Sequence, residues 1–342
     1  MKSKLITLKL GIKKNKTDGL LICLFKASTT ALIFTLNKFA AAPVIISKQN
    51  IIKSNPKYIF INSGNANACT GKEGLTNTKR ILNLLAKRLK CNSNEIIIMS
   101  TGIIGRQLPI DDIEASIIKN TFNKYSSLKD AACSVMTTDN HPKYLSKEYK
   151  IGSKKVIFSG LCKGAGMIEP NMATMLAFIE TNVSINKSNL KKYLNYCANL
   201  SFNAISVDGD MSTNDCVAFT STNLVKIDLK NKNNEKKLLE YAADFFIKLS
   251  SKIVKDGEGA TKIIKLNICN AKTKTLAQEI SRKISNSLLV KTAMYGEDPN
   301  WGRIIASLGS INEIDLNVVK VKLFINKILC FDNGTPTDAG SK

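Results

Sequence analysis

The sequence predicts an α/β protein in which strands and helices alternate along the chain. Short apolar runs between polar or glycine-containing segments are typical of buried strands, and longer segments with apolar residues three or four positions apart are typical of helices. Tyr58–Ile61 and Glu95–Met99 are runs of the first kind, and a helical pattern follows each of them. A chain of 342 residues can bury a large core and form two structural units.

In the first half, the apolar stretch Leu20–Leu36 is broken by Lys26 and by adjacent hydroxyl residues. It therefore predicts two strands joined by a turn rather than a membrane span. Asp111 would lie at a helix start, where acidic side chains interact favourably with the helix dipole, and the lysine-rich Lys143–Lys155 is expected to be a surface connection. The other elements predicted here are strands at Ala31–Thr35, Val44–Ile46, Tyr58–Ile61 and Glu95–Met99, and a helix at Leu75–Leu89.

In the second half, Ser206–Phe219 is rich in turn-forming residues, and the Lys/Asn-rich Lys226–Lys237 is expected to be an exposed loop. The apolar patterns around these segments predict regular structure. The elements are strands at Met175–Ile179 and Ile263–Ile268, helices at Lys187–Leu200 and Leu238–Val254, one further helix, and an apolar hairpin at Val318–Phe331.

The formal net charge of +23 is high enough to suggest an acidic partner such as nucleic acid. The lysines are nevertheless dispersed, no basic run is interleaved with aromatic residues, and aromatic residues make up only 6% of the chain. An abundance of Lys, Asn and Ile throughout the chain explains the charge equally well. We therefore expect no nucleic-acid partner.

Nine cysteines are scattered along the chain without any CxxC pair. Zinc sites and disulfide frameworks use regular cysteine spacings, so neither is predicted and no metal is expected. Free thiols fit a reducing compartment, and lysines interrupt any apolar region of a signal peptide at the N-terminus. We expect a soluble cytoplasmic protein without membrane association.

The chain contains a single histidine, His141, which lies in an Asn140–His141–Pro142 turn. A Ser-His-Asp or Cys-His site would have to use this residue, and no nucleophile motif lies near it in the sequence. If the protein is an enzyme, its general base is expected to be another group.

The segment Lys163–Thr181, KGAGMIEPNMATMLAFIET, is the most informative stretch of the chain. Gly164, Gly166 and Pro170 indicate irregular backbone, and the apolar run that follows indicates a buried strand. Thr174 lies where this loop enters the core. Because threonine often begins strands, the spacing alone favours a structural role, and a catalytic role needs support from the rest of the chain.

Ser100–Thr101–Gly102 follows a predicted strand. A glycine at such a position lets the backbone approach a ligand closely, and a neighbouring hydroxyl can add a second hydrogen-bond donor. Two donors that converge on one point can stabilise a developing oxyanion. On these residues alone, a simple strand-to-helix turn is the preferred interpretation.

Two other segments resemble ligand-binding loops but lack essential residues. DGDMSTND begins like a calcium loop, but Thr213 and Phe219 occupy the positions that require glycine and glutamate. GEGATK lacks the GxxxxGK[ST] spacing of a phosphate-binding loop. Lys163 and Glu258 lie in glycine-rich segments, although most residues of these types are solvated surface groups.

Several segments occur together in one order between Asn62 and Ile304: NSGNANACTG, STGIIG, MTTDNHPK, KGAGMIEPNMATMLAFIET, DGDMSTNDC, DGEGATK and GEDPNWGRI. In this order they resemble the ornithine acetyltransferase family of arginine biosynthesis, also called glutamate N-acetyltransferases. The resemblance implies a layered α+β fold with mixed sheets. It also implies an acyltransferase that moves an acetyl group from N2-acetylornithine to glutamate.

Members of this family cut their own chain before a threonine, which then becomes the N-terminal nucleophile. The resemblance places this cut between Ala173 and Thr174. It implies two intertwined fragments, residues 1–173 and 174–342, that assemble as a heterotetramer of two copies each. The freed α-amino group has a reference pKa of roughly 7.7–8.0, so it can act as general base without any histidine.

The resemblance also assigns the other site residues. Within MTTD, the register leaves Thr138 as the alternative to Thr137. Because the acetyl group is conserved in the exchange, no cofactor is implied, although acetyl-CoA could serve as an alternative donor. The matching positions are Thr101 and Gly102 for the oxyanion hole, and Thr137, Lys163, Thr174 and Glu258 for the substrate.

The chain departs from the family at its C-terminus. Family members continue for several more strands and supply an Asn and a Ser or Thr to the substrate pocket, whereas this chain has only TPTDAGSK after Phe331–Gly334. The departure leaves three interpretations: a shortened enzyme with an incomplete pocket, an inactive relative, or a truncated sequence. Two other functions stay open beside acetyl transfer. The protein could be a self-cleaving amidase or aminopeptidase that hydrolyses its substrate, or an inactive shortened relative that acts as a basic binding protein.

Overall fold

The structure, a computed structural model, describes residues 1–169, 175–311 and 320–340. The chain divides into two compact units, Met1–Glu258 and Gly259–Lys342. This division reflects how the residues pack. It is a different property from the expected cut between Ala173 and Thr174, which concerns one peptide bond and stays a prediction.

Strands and helices alternate in the first unit, which confirms the predicted α/β class. Most predicted elements occur with boundaries shifted by a few residues. Its strands are β1 (Lys4–Leu8), β2 (Gly19–Cys23), β3 (Thr29–Phe34), β4 (Tyr58–Asn65), β5 (Ile96–Ile103), β6 (Lys143–Ile151), β7 (Lys154–Lys163), β8 (Leu176–Val183) and β9 (Cys216–Val225). Its helices are α1 (Ala42–Lys53), α2 (Gly71–Leu89), α3 (Ile110–Lys119), α4 (Leu128–Ser134), α5 (Lys187–Asn199) and α6 (Lys232–Lys255).

One sheet of this unit has four strands in the order β1-β2-β4-β5. The first two pairings are antiparallel, whereas β4 and β5 are parallel. A parallel pair needs a long crossover connection, and α2 supplies it. The carboxyl ends of β4 and β5 therefore lie side by side, with Gly64 paired to Gly102.

The other sheet has five strands in the order β3-β9-β8-β7-β6. Here β8 and β9 are parallel, with α5 in the crossover, and the remaining pairings are antiparallel. Leu176 at the start of β8 pairs with Cys216 at the start of β9 and with Lys163 at the end of β7. Three chain segments therefore meet at this edge of the sheet.

The two sheets pack face to face, and apolar residues of both sheets fill the space between them, including Ile61, Met99 and Phe178. Residues of α2 and α3 cover the outer face of the four-stranded sheet. Residues of α5 and α6 cover the outer face of the five-stranded sheet. The result is a helix–sheet–sheet–helix arrangement, which confirms the predicted layers and mixed sheets.

The second unit contains three helices and a small antiparallel sheet in its described residues. One helix was predicted where three occur, and the predicted hairpin is present from Leu323 onward. Ile280, Ile284, Val290 and Ile304 form its core. The elements are α7 (Lys274–Ser285), α8 (Leu288–Tyr295), α9 (Trp301–Gly309), β10 (Leu323–Ile325), β11 (Ile328–Asp332) and β12 (Thr335–Pro336).

The predicted strand Val44–Ile46 is wrong, because these residues lie in α1. Pro43 occupies the first turn of this helix, where its missing N–H costs nothing. Ser47 is buried and bonds through its hydroxyl to both backbone groups of Ile98 in β5. A run of three apolar residues is too short to show whether its period is that of a strand or a helix.

The predicted surface connection Lys143–Lys155 is also wrong, because it forms β6, the turn and the start of β7. Exposed and partly buried residues alternate along β6, as expected for a strand at a sheet edge. Lys150, Lys154 and Lys155 are exposed, whereas Lys147 is partly buried and Lys143 is buried.

Two further predictions are wrong about where strands occur. The turn-rich segment ends at Asp215, since Cys216–Phe219 begin β9. Ile263–Ile268 forms no strand, and in the described parts of the chain it has no strand to pair with. Among the described residues, no helix is both long enough and apolar enough to cross a membrane.

Candidate active site

Three residues matched by the sequence resemblance meet around one amine. Lys163 is the last residue of β7, and its Nζ donates hydrogen bonds to Thr101 Oγ1 at 3.1 Å and to Thr137 Oγ1 at 2.7 Å. Only 2% of Lys163 is exposed. Because Thr101 belongs to the four-stranded sheet and Lys163 to the five-stranded sheet, these bonds join the site ends of both sheets.

Two opposing effects act on the pKa of the Lys163 amine. Burial lowers the pKa of its amine, while the Asp139 carboxylate, with Oδ2 3.9 Å from Nζ, acts in the opposite direction. Buried amines lose hydration that an ion pair only partly replaces. The Lys163 cation is therefore held mainly by directed hydrogen bonds and by this one nearby carboxylate.

Behind Lys163 lies a network of buried charges. Lys143 Nζ donates to Asp139 Oδ1 at 2.6 Å and also contacts Asp256 Oδ2. Burial opposes ionisation of Asp139, but Lys163 and Lys143 outweigh it and hold the Asp139 pKa below its usual value. Asp139 Oδ1 also accepts the Gly164 N–H at 2.7 Å. The network thus fixes the backbone next to Lys163.

Asp256 completes this network from the end of α6. Burial opposes its ionisation, but hydrogen bonds from Lys143 and His141 outweigh the effect and lower its pKa to about 2. His141 Nδ1 lies 2.9 Å from Asp256 Oδ1, and the imidazole is otherwise exposed. The single histidine therefore contacts a structural carboxylate and, within the described ranges, none of the predicted site residues.

Thr101 and Gly102 lie inside β5 rather than in a loop after it, which corrects the predicted strand-to-helix turn. Gly102 has a φ of 135°, where only glycine is comfortable. A Cβ on Gly102 would lie 2.2 Å from the Gly64 carbonyl carbon and 2.4 Å from Asn65 N. The backbones of β4 and β5 thus approach more closely here than any side chain would allow.

Thr137 and Thr138 differ in their surroundings. Thr137 is partly buried and accepts the hydrogen bond from Lys163, and its backbone N–H donates to Asp139 Oδ2 at 2.9 Å. Thr138 is exposed. The geometry therefore brings Thr137 to Lys163, while the choice between Thr137 and Thr138 as substrate residue stays a prediction.

Glu258 is exposed and lies beside the loop that follows Lys163. Its backbone N–H donates to the Ala165 carbonyl at 2.8 Å. A Cβ on Gly166 would lie 2.6 Å from the Glu258 carboxylate carbon, so this glycine makes room for the carboxylate. The negative charge of Glu258 also acts on Lys163.

The predicted cleavage residues Ala173 and Thr174 lie outside the described residues, as does Pro170. The chain on both sides is well anchored. Asp208 accepts the backbone N–H groups of Met167 and Ile168, and Met175 N donates to Asp215 Oδ1 at 2.8 Å. Asp208 is the first residue of DGDMSTND, the segment that resembles a calcium loop. Its carboxylate binds the backbone of the loop before Pro170.

A profile described as the ArgJ family matches residues 4–342. The chain belongs to the ArgJ family. Three relatives carry the name arginine biosynthesis bifunctional protein ArgJ or a variant of it. The protein of Caldanaerobacter subterraneus is 39% identical over 92% of this chain and 79% of its own length. ArgJ 2 of Clostridium acetobutylicum is 41% identical over 95% of this chain and 81% of its own length. The mitochondrial protein of Dictyostelium discoideum is 45% identical over 87% of this chain and 69% of its own length.

Two solved structures also align with this ArgJ-family chain. Arginine biosynthesis bifunctional protein argJ from Bacillus halodurans is 30% identical with a TM-score of 0.45, and the alignment covers 50% of this chain and 91% of that one. Ornithine acetyltransferase from Mycobacterium tuberculosis, complexed with ornithine, is 27% identical with a TM-score of 0.42, over 49% and 91% of the two chains.

Family membership confirms the resemblance that the ordered motifs indicated. It also confirms the expected enzyme class, an acyltransferase of arginine biosynthesis. The roles of individual site residues stay predictions, although the structure brings Thr101, Thr137 and Lys163 together.

Sequence reasoning missed three buried polar residues of the ArgJ-family site: Asp139, Asn214 and Asp215. Asp139 lies in MTTD, and the other two lie in the segment that resembles a calcium loop. A signal was present, because Ser212–Asp215 is an uninterrupted polar run that leads directly into the apolar residues of β9. Such a run is expected to be buried and to need hydrogen-bond partners.

Proposed function

We propose that this protein is a glutamate N-acetyltransferase that moves the acetyl group of N2-acetylornithine to glutamate through an acetyl-Thr174 ester. The observation that carries the proposal is the meeting of Lys163, Thr101 and Thr137 at the edge where β8 begins. Met175, the residue after Thr174, lies at this same edge. A nucleophile at position 174 would therefore enter a site already lined by hydroxyl groups and one cation.

Self-cleavage comes first in the proposed sequence. Thr174 Oγ attacks the Ala173 carbonyl carbon, the peptide C–N bond breaks, and an ester links the two fragments. Water then hydrolyses the ester and leaves Ala173 with a carboxylate. Thr174 gains a free α-amino group, whose reference pKa of roughly 7.7–8.0 suits a general base near neutral pH.

Acetyl transfer then proceeds by double displacement. The α-amine takes the Oγ proton while Oγ bonds to the acetyl carbonyl carbon. The tetrahedral intermediate collapses, its C–N bond breaks, and ornithine leaves with the proton on its nitrogen. The amine of glutamate attacks the acetyl-threonine ester in the reverse sense and restores Thr174 Oγ–H, so no redox or group-carrying cofactor enters the balance.

Thr101 is suited to stabilise the oxyanion because of its bond with Lys163. Thr101 Oγ1 accepts from Lys163 Nζ, so its own O–H remains available to donate to a negative oxygen. The nearby cation strengthens this donor. We assign the second donor to the backbone N–H of Gly102, in keeping with the need for two converging donors.

The substrates are amino acids, and opposite charges at the site suit them. We assign Lys163 and Thr137 to the substrate carboxylate and Glu258 to the substrate amino group. Fragments 1–173 and 174–342, their assembly into a heterotetramer and a cytoplasmic location complete the proposal. The Lys163 and Glu258 charges would complement the carboxylate and the side-chain ammonium of N2-acetylornithine, and acetyl-CoA as an alternative donor is a separate question for assay.

Mass spectrometry of the purified protein tests the proposal directly. We expect two fragments that meet at Ala173/Thr174, and one uncut chain for Thr174→Ala. Incubation with N2-acetylornithine should add one acetyl group to the fragment that begins with Thr174, and glutamate should remove it as N-acetylglutamate. Release of free acetate instead would indicate a hydrolase, and an unmodified fragment during turnover would rule out the covalent mechanism.

A further inference from the structure

The segment Ser212–Asp215 is a run of four polar residues that are all at least nine-tenths buried. Buried polar side chains require hydrogen-bond partners, and Asn214 Nδ2 and Asp215 Oδ1 find theirs in backbone groups of neighbouring elements. The segment lies immediately before β9, at the edge where β8 also begins. It is therefore placed between the strand that follows Thr174 and the strand that carries Thr101.

Asn214 contacts the oxyanion side of the site. Its Nδ2 donates to the Ala66 carbonyl at 2.6 Å and to the Ser100 carbonyl at 2.9 Å. Its Oδ1 accepts from Thr213 Oγ1 at 2.7 Å, which fixes the amide orientation. Because Ser100 precedes Thr101, Asn214 holds the end of β5 at the point where the oxyanion donors are expected.

Asp215 contacts the nucleophile side. Its Oδ1 accepts the Met175 N–H at 2.8 Å, and the Met175 carbonyl accepts from Cys216 N at 3.2 Å. Both backbone groups of Met175 are thus held by the start of β9. The Met175 nitrogen is bonded covalently to the carbonyl carbon of Thr174, so Asp215 acts one peptide bond away from the proposed nucleophile.

The second carboxylate oxygen of Asp215 has no hydrogen-bond partner among the described residues. This Oδ2 is fully buried, and the whole residue is 0% exposed. The nitrogen of any residue lies at most about 3.7 Å from the nitrogen of the next one, by standard bond lengths. Asp215 thus presents a buried oxygen without a described partner on the carboxylate that binds the nitrogen of the residue after Thr174.

We propose that Asp215 is a positioning residue for acetyl transfer, in which Oδ1 holds the nitrogen that follows Thr174 and Oδ2 pairs with the α-amino group that self-cleavage creates. This inference rests on the proposed function. It assigns the buried carboxylate to the general base: as the α-amine takes the Thr174 Oγ proton, the resulting ammonium forms beside the Asp215 carboxylate. The ammonium then returns its proton to the departing nitrogen of ornithine.

The charges around Asp215 are consistent with a partner that appears only after the cut. Burial raises the pKa of Asp215 well above its usual value, and the Met175 N–H, the Ser212 hydroxyl and the Lys163 cation only partly oppose this. An uncut chain has no α-amino group at residue 174. A nearby cation favours the ionised carboxylate, so under this proposal cleavage itself would convert Asp215 to the form that supports the base.

Asp215→Asn is the decisive variant, because its amide oxygen can still accept the Met175 N–H while the negative charge is lost. Thr222→Val is the matched control, since Thr222 lies in β9, the strand that directly follows Asp215, and its buried Oγ1 has no partner among the described residues. For both variants and the wild type, self-cleavage, kcat, KM and the pH profile of kcat/KM with N2-acetylornithine and glutamate would be measured.

For Asp215→Asn we expect a folded, cut protein with kcat lowered about 100-fold, the scale of general-base effects, and KM within about threefold of the wild type. Loss of the carboxylate makes the ammonium less favourable, so the acidic limb of the profile should move to lower pH. A purely structural role would leave this limb unchanged. Thr222→Val should match the wild type in every measurement.

Three outcomes for Asp215→Asn would overturn the inference: wild-type kcat with an unmoved acidic limb, a folded chain that stays uncut, or a chain that fails to fold although the acceptor oxygen is kept. The second outcome would assign the carboxylate to the cutting step. A wild-type protein that is neither cut nor acetylated would overturn the proposed function and this inference together, so the two failures can be told apart.

Discussion

The two sheets of the first unit build their site ends by different means. At the carboxyl ends of β4 and β5, the site consists of neutral groups and of backbone in close approach, with Gly64 against Gly102. At the edge where β7 ends and β8 and β9 begin, it consists of buried ionisable groups, with Lys163 and Asp215 as the main members. One side is set by steric fit and the other by charge.

This difference suits the chemistry. A donor for an oxyanion must keep its position whatever the pH, and neutral hydroxyl and backbone N–H groups do so. Proton transfer needs groups whose protonation can change, and burial of charges provides them. Lys163 bridges the two sides, since it is a charge of one sheet bonded to a hydroxyl of the other.

The largest expected effect comes from adding a methyl group at the carboxyl ends of β4 and β5, where the site depends on steric fit. Gly102→Ala would place Cβ 2.2 Å from the Gly64 carbonyl carbon at a φ of 135°, so strain on the order of 3 kcal/mol or more is expected. The displaced donor should lower kcat about 100- to 1,000-fold. Chemical denaturation and single-turnover acetylation of the Thr174 fragment would measure the two losses.

Gly105→Ala is the control for Gly102→Ala. Gly105 has a φ of 81°, and nothing lies within 4 Å of the added Cβ. It should therefore lose only about 1–2 kcal/mol of stability from the left-handed backbone and keep its activity. Equal losses of activity in both variants would show that close approach of β4 and β5 is not what matters.

A smaller effect on activity is expected from removing the Lys163 charge, which joins the site ends of the two sheets. Lys163→Met keeps most of the side-chain length but removes the hydrogen bonds to Thr101 and Thr137. We expect kcat/KM to fall about 100-fold, with contributions from weaker substrate binding and from a weaker Thr101 donor. Steady-state kinetics with N2-acetylornithine would separate KM from kcat.

Lys191→Met serves as the comparison for Lys163→Met. Lys191 lies on α5 and donates to the Leu32 carbonyl, and none of its described interactions is with a predicted site residue. Activity close to that of the wild type is expected. If Lys163→Met were equally active, Lys163 would be a structural cation rather than a part of the substrate site.

The smallest expected effect is on the pH dependence of stability, through the buried charges of Lys143, Asp139 and Asp256. Asp256 has a pKa lowered to about 2 in the folded protein, so it binds a proton more readily when unfolded. Its contribution, on the order of 2 kcal/mol, is fully present above about pH 4 and is lost as the pH falls towards 2. The free energy of unfolding of the wild type, measured from pH 5 down to pH 3, should show the first part of this loss.

Asp256→Asn isolates this contribution from the other carboxylates. The variant should be less stable at pH 5, because Lys143 loses one of its two carboxylate partners. Its stability should depend less on pH between 5 and 3 than that of the wild type. An identical pH dependence in both proteins would show that ionisation of Asp256 does not contribute to the pH dependence of the free energy of unfolding.

Elements with a clear period were predictable from the sequence. The helices at Leu75–Leu89 and Leu238–Val254 and the strands at Tyr58–Ile61 and Glu95–Met99 occur close to their predicted places. Val44–Ile46 was assigned the wrong class because a short apolar run has no visible period. Lys143–Lys155 was mistaken for a surface connection because lysines on an edge strand resemble those of a loop.

The candidate site was predictable only in part. Thr101, Thr137 and Lys163 follow from motifs, and their meeting around one amine supports the choice of these residues. Asp139, Asn214 and Asp215 were missed because their importance depends on burial and on partners far away in the chain. Asp215, for example, is 40 residues from the Met175 N–H that it accepts.

By itself, the sequence determined the family, the alternation of strands and helices and the candidate residues, because these depend on local patterns and on motifs in order. Only the tertiary structure decided which residues share a site, since strand pairing aligns β7, β8 and β9 and the packing of the two sheets brings β5 to the same place. It also decided the properties of the buried charges. Burial and neighbouring groups, not residue type, set the pKa values of Lys163 and Asp215.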